Sequence, residues 1–221
     1  RASNFSSAQG IAYMHESLYA AVGKRLPYVL NMGCRAITKS SLNVHCGHDD
    51  YHCIDDTGFA QVLGKNAQEA ADLNLIGRKV AELSLTPAVV AQDGFLTTHL
   101  IEPLQVPDRE LIAEFLGRPD DIIDCPTPAQ RLVYGATRRR VPELWSVDNP
   151  ILAGPVENQD SYMQSVVGQR PYFVVHIGGI ADMVMEEYYQ LTGRRSRLVS
   201  GYRMDDGEDV ILGHCSMFVQ A

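Results

Sequence analysis

Residues 66–94 read NAQEAADLNLIGRKVAELSLTPAVVAQDG, and this stretch decides the fold. Asn66 and Glu69 have the spacing of a capping box, in which two side chains each take an early backbone N–H. Ala70, Leu73, Ile76, Gly77, Val80, Ala81 and Leu83 then recur at helical spacing, which predicts a helix to about Ser84. The run Pro87-Ala88-Val89-Val90-Ala91 predicts a compact buried strand, ended by the turn residues Asp93-Gly94.

The same unit is legible upstream. Ser6-Ser7-Ala8-Gln9 also has capping-box spacing, and Ile11, Met14, Leu18, Ala21 and Val22 predict a helix from about Ala8 to Lys24. Pro27 stops it, and Tyr28 to Met32 predicts a strand closed by Gly33. Helix, strand, loop, helix, strand implies an α/β fold: an open, mostly parallel sheet flanked by helices. Ligands of such sheets sit at the carboxyl ends of the strands, so the loops after Met32 and after Ala91 are the first places to look for a site.

Downstream, proline recurs at positions 103, 107, 119, 126, 128, 142, 150 and 155, which reads as an extended arm. Short helices are expected at Asp108 to Leu116 and Ala129 to Tyr134, and longer ones at Asp160 to Val167 and Val174 to Leu191. Gly178-Gly179 suggests a kink or a close helix crossing. Strands are expected at Arg197 to Arg203 and Asp209 to Gly213 around an Asp206-Gly207 turn. The expected division is residues 1–103, 104–193 (arm and linking helices) and 194–221 (the incomplete start of a second α/β domain).

Composition narrows the classes of function. The chain has 221 residues, 45% hydrophobic and 21% charged, which excludes disorder and fibrous folds. A net charge of −8, with no basic run longer than Arg138-Arg139-Arg140, argues against a nucleic-acid partner. No apolar stretch approaches the ~18 residues of a membrane span. Five irregularly spaced cysteines (34, 46, 53, 125, 215) with no Cys-x-x-Cys pair suit reduced thiols and a cytoplasmic setting. The opening Arg1-Ala2-Ser3-Asn4 has no signal-peptide character and reads as a segment of a longer chain.

Two clusters carry possible chemistry. His45-Cys46-Gly47-His48-Asp49-Asp50-Tyr51-His52-Cys53 packs zinc-type ligands into one stretch. Its spacing matches no finger or ribbon, and a closed site usually draws on two stretches. It therefore reads as a polar loop, about Cys34 to Asp56, with a short strand at Leu42 to Val44; no metal is assigned to it. Arg35 sits just past the Tyr28–Met32 strand, placed to hold a carboxylate or phosphate. On residue type alone, a surface or structural ion pair is the stronger reading. Gln92 to His99 offers Asp, Thr and His after the second strand, as a polar network or simply a tight turn with a cap. No nucleophile elbow, Walker loop or dinucleotide fingerprint is present, and no catalytic residue is assigned.

Six phrases occur in order: Phe5-Ser6-Ser7-Ala8-Gln9-Gly10, Gly33-Cys34-Arg35-Ala36-Ile37, His48-Asp49-Asp50, Asp56-Thr57-Gly58-Phe59, Asn66-Ala67-Gln68-Glu69-Ala70 and Gln92-Asp93-Gly94-Phe95-Leu96-Thr97-Thr98-His99. In this register the chain resembles the pyruvate:ferredoxin (2-oxoacid:acceptor) oxidoreductases, specifically their pyrimidine-side thiamine diphosphate domain. The resemblance implies CoA-dependent oxidative decarboxylation of a 2-oxo acid, most often pyruvate, to acyl-CoA, CO2 and reduced ferredoxin or flavodoxin, or the reverse. It implies that Arg35 contacts the substrate, and that residues 194–221 begin a transketolase-C-terminal-like domain. It also implies that the glutamate serving the aminopyrimidine precedes Arg1, and that Mg²⁺ and the iron–sulfur clusters are bound outside this segment. The segment is then one wall of a site within a homodimer, inactive alone. A non-catalytic assembly domain of the same fold is the alternative.

Overall fold

The computed structural model describes residues 1–143, 147, 155–202, 204, 205 and 208–218. Four parallel strands form one sheet in the order β1-β2-β4-β3: β1 (Ser3–Ser6), β2 (Val29–Cys34), β3 (Ala60–Gly64) and β4 (Ala88–Asp93). β2 and β4 pair over six residues, from Val29 opposite Ala88 to Cys34 opposite Asp93. This pair is the centre of the sheet, with β1 outside β2 and β3 outside β4.

Side chains alternate across a strand, and here both faces are covered. Leu30, Met32, Val89 and Ala91 point into one core with Ile11, Leu18, Ala21, Ile54 and Phe59. That face is roofed by α1 (Gln9–Tyr13) and α2 (His15–Gly23). Val29 and Val90 point the other way, against Leu73, Ile76 and Val80 of α4 (Ala67–Ser84). Phe115 of α5 (Arg109–Leu116) and Ile180, Val184 and Tyr188 of α8 (Val175–Thr192) complete that second core. The continuous apolar run at 88–91 is thus the signature of a strand buried on two faces.

The reciprocal cap at Asn66 forms. Its Oδ1 accepts from Glu69 N at 2.9 Å, and Glu69 Oε2 accepts from Lys65 N at 2.8 Å. Helix α4 ends at Leu85 in the left-handed region. In the proline-rich arm α5 is capped by Asp108 and α6 (Pro128–Tyr134) by Thr127, as the spacing requires. The remaining helix is α7 (Gln159–Gln169), joined to α8 by a π turn over Arg170–Val174.

Several expectations are corrected. The Ser6-to-Gln9 pair caps nothing: Ala8 is the N-cap, at φ 47°, and its N–H is taken by Asp50 instead. The first helix divides at Met14. Leu42 to Val44 is not a strand; both apolar side chains are exposed and no neighbouring strand supplies bonds. The described residues of 197–202 and 209–213 form no strand either, and Val210, Ile211 and Leu212 are exposed; Arg203, Asp206 and Gly207 lie outside the described residues. Helix α8 runs unbroken through Gly178-Gly179, where an added Cβ would touch nothing within 4 Å. The irregularity lies earlier, at the π turn holding Pro171, a residue with no N–H to give. Strands β1 and β3 were not foreseen, nor was the antiparallel pair β5 (Ile122–Asp124) and β6 (Thr137–Arg139). Among the described residues no helix is long and apolar enough to cross a membrane.

Polar ties cross the α4–α8 contact, Lys79 with Glu187 and a buried group around Asp72. Asp72 is buried and accepts from Tyr188 Oη at 2.7 Å, Arg194 Nε at 2.7 Å and Arg194 Nη2 at 2.9 Å. Burial, reinforced by the bond to Asp72, pushes the Tyr188 phenol up to about 12. A raised folded value means the folded state keeps its proton after the unfolded chain has lost it, so this contribution is present below about pH 10 and lost toward pH 12. We expect Tyr188→Phe to flatten the fall in unfolding free energy between those pH values by roughly 2 kcal/mol in denaturant titrations. Other tyrosines raised by burial (Tyr28, Tyr51) preserve the rest of the slope.

Candidate functional site

The carboxyl ends of β2 and β4 meet in close backbone contact. Gly94 N donates to Cys34 O at 2.8 Å. A Cβ on Gly94 would fall 2.3 Å from that same oxygen, so the turn after β4 admits only glycine. Gly47 serves a similar purpose: a Cβ there would lie 2.6 Å from Ala36 N. These two contacts press the loop after β2 and the loop carrying the histidines onto the sheet edge.

Asp50 ties the loops together. It opens the one-turn helix α3 (Asp49–His52), and its side chain is fully buried. Its Oδ2 accepts from Ala8 N at 2.7 Å, its Oδ1 from Tyr51 N at 2.9 Å, and both oxygens lie 3.2 Å from Arg35 N. Burial raises its pKa, and the backbone N–H bonds oppose the rise. Ala8 is a non-glycine residue at positive φ, a conformation held only where the surroundings impose it. Sequence reading missed this anchor, because nothing in the spacing distinguishes Asp50 from Asp49, which instead bonds Ile37 N and Lys39 Nζ, both at 3.0 Å.

Arg35 emerges one residue past β2, as expected. Its Nη2 donates to Gln9 Oε1 at 2.6 Å, and its buried Nε has no partner. Among the described residues it pairs with no carboxylate, so the ion-pair reading of this arginine is not realised.

The histidine-rich stretch is divided by the fold. His48 Nε2 lies 2.8 Å from Asp93 Oδ1, and Cys46 Sγ donates to the same oxygen at 3.3 Å. Ser216 approaches from far along the chain. Its N donates to Asp93 Oδ2 at 2.9 Å, and its hydroxyl bonds that oxygen too. Burial alone would raise the Asp93 pKa, but the bonds from Ser216 and His48 hold it down at about 2. Burial, then the Asp93 bond, pushes the Cys46 thiol up to about 12. His45 instead packs its ring on Phe95 at 4.9 Å, and His52 pairs with Asp55 at 2.9 Å. Cys53 rests against the α1–α2 core.

A cavity of about 790 Å³ opens beside this edge. Ser6, Ser7, Asn31, Asn74, Gln92 and Thr98 supply its polar wall, and Phe5, Met32, Leu75 and Val90 much of its apolar one. Its lining carries neither a carboxylate nor a cation; Gly33 lines it, while Arg35 does not. Phe5, Ser6, Ser7, Gln92 and Thr98 lie in the phrases quoted above, whereas Asn31, Asn74, Leu75 and Val90 lie outside them, and all of these meet only after folding.

A parallel sheet that carries at its carboxyl edge a cavity without charged lining, and an arginine that pairs with no carboxylate among the described residues, has the arrangement typical of α/β domains that bind ligands at their strand ends. Residues 1–183 match the family described as pyruvate flavodoxin/ferredoxin oxidoreductase, thiamine diphosphate-binding, and the chain belongs to that family. It is 32% identical to pyruvate synthase subunit PorA of Pyrococcus abyssi over 213 residues, covering 94% of this chain and 48% of that subunit. It is 28% identical to the PorA subunit of Thermotoga maritima over 214 residues, 96% of this chain and 49% of the relative. It is also 28% identical to pyruvate:ferredoxin oxidoreductase of Moorella thermoacetica, covering 94% of this chain and 16% of that protein. The chain thus spans about half the length of the PorA subunits it matches.

The Asp50 anchor is testable. Asp50→Ala strands the N–H groups of Ala8 and Arg35, and each buried unpaired donor costs about 1–3 kcal/mol. We expect a lower unfolding midpoint and faster hydrogen exchange at both amides, with Asp50→Asn losing less. Unchanged exchange at Ala8 would refute the anchor.

Proposed function

We propose that this chain forms one wall of the thiamine diphosphate site of a 2-oxoacid:acceptor oxidoreductase, and that pyruvate is its 2-oxo acid. Family membership and the relatives' names support the reading; the observation that carries it to this chain's residues is the Arg35 guanidinium at the sheet's carboxyl edge, held by Gln9 and paired with no carboxylate among the described residues. Bound there, thiamine diphosphate supplies a nucleophilic carbon and an electron sink for decarboxylation.

The cavity suits the neutral end of that cofactor. Hydroxyls of Ser6, Ser7 and Thr98 and amides of Asn31 and Gln92 match the donors and acceptors of an aminopyrimidine. Met32, Leu75 and Val90 exclude water from beside it. The lining does not suit a diphosphate or Mg²⁺, since it holds no cation and no carboxylate, so those groups fall to other parts of the enzyme. The iron–sulfur clusters, CoA site and ferredoxin or flavodoxin contact fall there too. The ring-activating glutamate is likewise sought outside the cavity lining.

Arg35 is the substrate clamp in this reading. A guanidinium offers a planar fork to a carboxylate, and its fixed charge costs no reorganisation when the reacting centre changes. Asp50 sets its backbone and Gln9 steadies one arm. Five free thiols suit the cytoplasm, and assembly is proposed as a homodimer of the complete unit. Residues 1–103 are proposed as the cofactor wall, 104–193 as the linking arm, and 194–221 as the start of the next domain.

In the assembled enzyme, Arg35→Ala should lower kcat/KM for pyruvate by at least a hundredfold, because losing a charged clamp costs about 3 kcal/mol. Viologen reduction dependent on pyruvate and CoA measures it. An unchanged kcat/KM removes Arg35 from the site. An assembly that binds no thiamine diphosphate by calorimetry supports a non-catalytic assembly domain instead.

A further inference from the structure

We infer that Cys46, His48, Asp93 and Cys215 form a structural zinc site that clips the loop after β2 and the 215–218 segment to the end of β4. The inference does not rest on the proposed activity. The histidine-rich stretch lacks only a second source of ligands, and the fold supplies two: Asp93 from the end of β4, and His214-Cys215 from over a hundred residues further on. Cys46, His48 and Asp93 have ligand atoms mutually within 4.8 Å, and so do His48, His214 and Cys215. The two groups share His48, and Cys215 precedes Ser216, whose N donates to Asp93 Oδ2 at 2.9 Å.

The spacings suit a tetrahedral ion. Bonds of about 2.3 Å to sulfur and about 2.0 Å to nitrogen or oxygen set sulfur about 3.5 Å from its lighter neighbours, and nitrogen about 3.3 Å from oxygen. Here Sγ of Cys46 lies 3.9 Å from His48 Nε2 and 3.3 Å from Asp93 Oδ1, and the last two atoms are 2.8 Å apart. Shifts of about half an ångström convert this triangle into one face of a zinc tetrahedron. Asp93 is also oriented as a ligating carboxylate is: Oδ1 faces Cys46 and His48, while Oδ2 is held by Ser216 N and Oγ. Cys215 is buried and His214 exposed, so Cys215 takes the fourth position and His214 lies against His48, with ring centroids 4.6 Å apart. Four protein ligands leave no open position, which is the pattern of a structural site.

The test uses the complete enzyme, purified without chelators or a histidine tag. Elemental analysis should give about one zinc per copy of this chain, and absorption fine structure at the zinc edge should show two sulfur and two nitrogen or oxygen neighbours. Cys46→Ala and Cys215→Ala should each lose the zinc, while Cys53→Ala, in the same stretch but outside the cluster, should keep it. Less than about a tenth of an equivalent after dialysis against zinc overturns the site. So does a zinc edge showing only light-atom neighbours, or zinc retained by the Cys46→Ala/Cys215→Ala double variant. Should the variants fail to fold, the zinc content and edge of the unaltered enzyme decide alone.

Discussion

The structure depends on the contact of two backbones where β2 and β4 end. Cys34 O and Gly94 N approach so closely that no side chain fits between them. That contact sets Arg35, just past β2, and Asp93, the last residue of β4, on the same rim of the sheet. The loops above must then be tied down, and buried carboxylates do it: Asp50 for the loops from β1 and β2, Asp93 for the histidine stretch and the distant Ser216.

The two carboxylates illustrate how partner type decides the charge state. Asp50 is solvated almost entirely by backbone N–H groups, and burial wins: its pKa rises. Asp93 is also buried, yet the added side-chain donors of Ser216 and His48 reverse the balance. Two aspartates at the same end of the sheet are thus tuned in opposite directions. A polar rim of this kind orders loops without drawing on the hydrophobic cores, which lie below and are filled from both faces of the sheet.

What the sequence made legible follows from range. The helix α4 and strand β4 were readable because both are written locally, in a cap, a 3.6-residue period and an apolar run. The edge strand β1 was not, because Ser3–Ser6 is polar and mostly exposed and takes its strand state from pairing with β2 alone. The opposite error occurred at Val210 to Leu212, where apolar content suggested a strand but no partner strand exists among the described residues. Arg35 was visible by its position after a strand. Its lack of a carboxylate partner was not, since partners are a tertiary property. The cavity wall was legible only in part: Ser6 and Gln92 lie in the quoted phrases, but Asn31 and Asn74 do not, and they join them only through the fold.

The division of the His45–Cys53 stretch carries the argument one step further. Nine residues dense in ligands looked self-contained, and a loop of that kind commonly satisfies its own backbone. The fold instead sends alternate members apart: His45 to Phe95, Cys46 and His48 to Asp93, Asp49 to Lys39, Asp50 inward to Ala8 and Arg35, His52 to Asp55. Adjacent residues with the same chemistry therefore do separate work because the one-turn helix α3 rotates each by about a hundred degrees relative to the last. Asp50, which anchors the loop after β2, and Cys46 and His48, which meet at Asp93, lie within five positions of each other. The stretch that carries Asp50, the partner of the Arg35 backbone N–H, therefore also carries Cys46 and His48, which meet at Asp93.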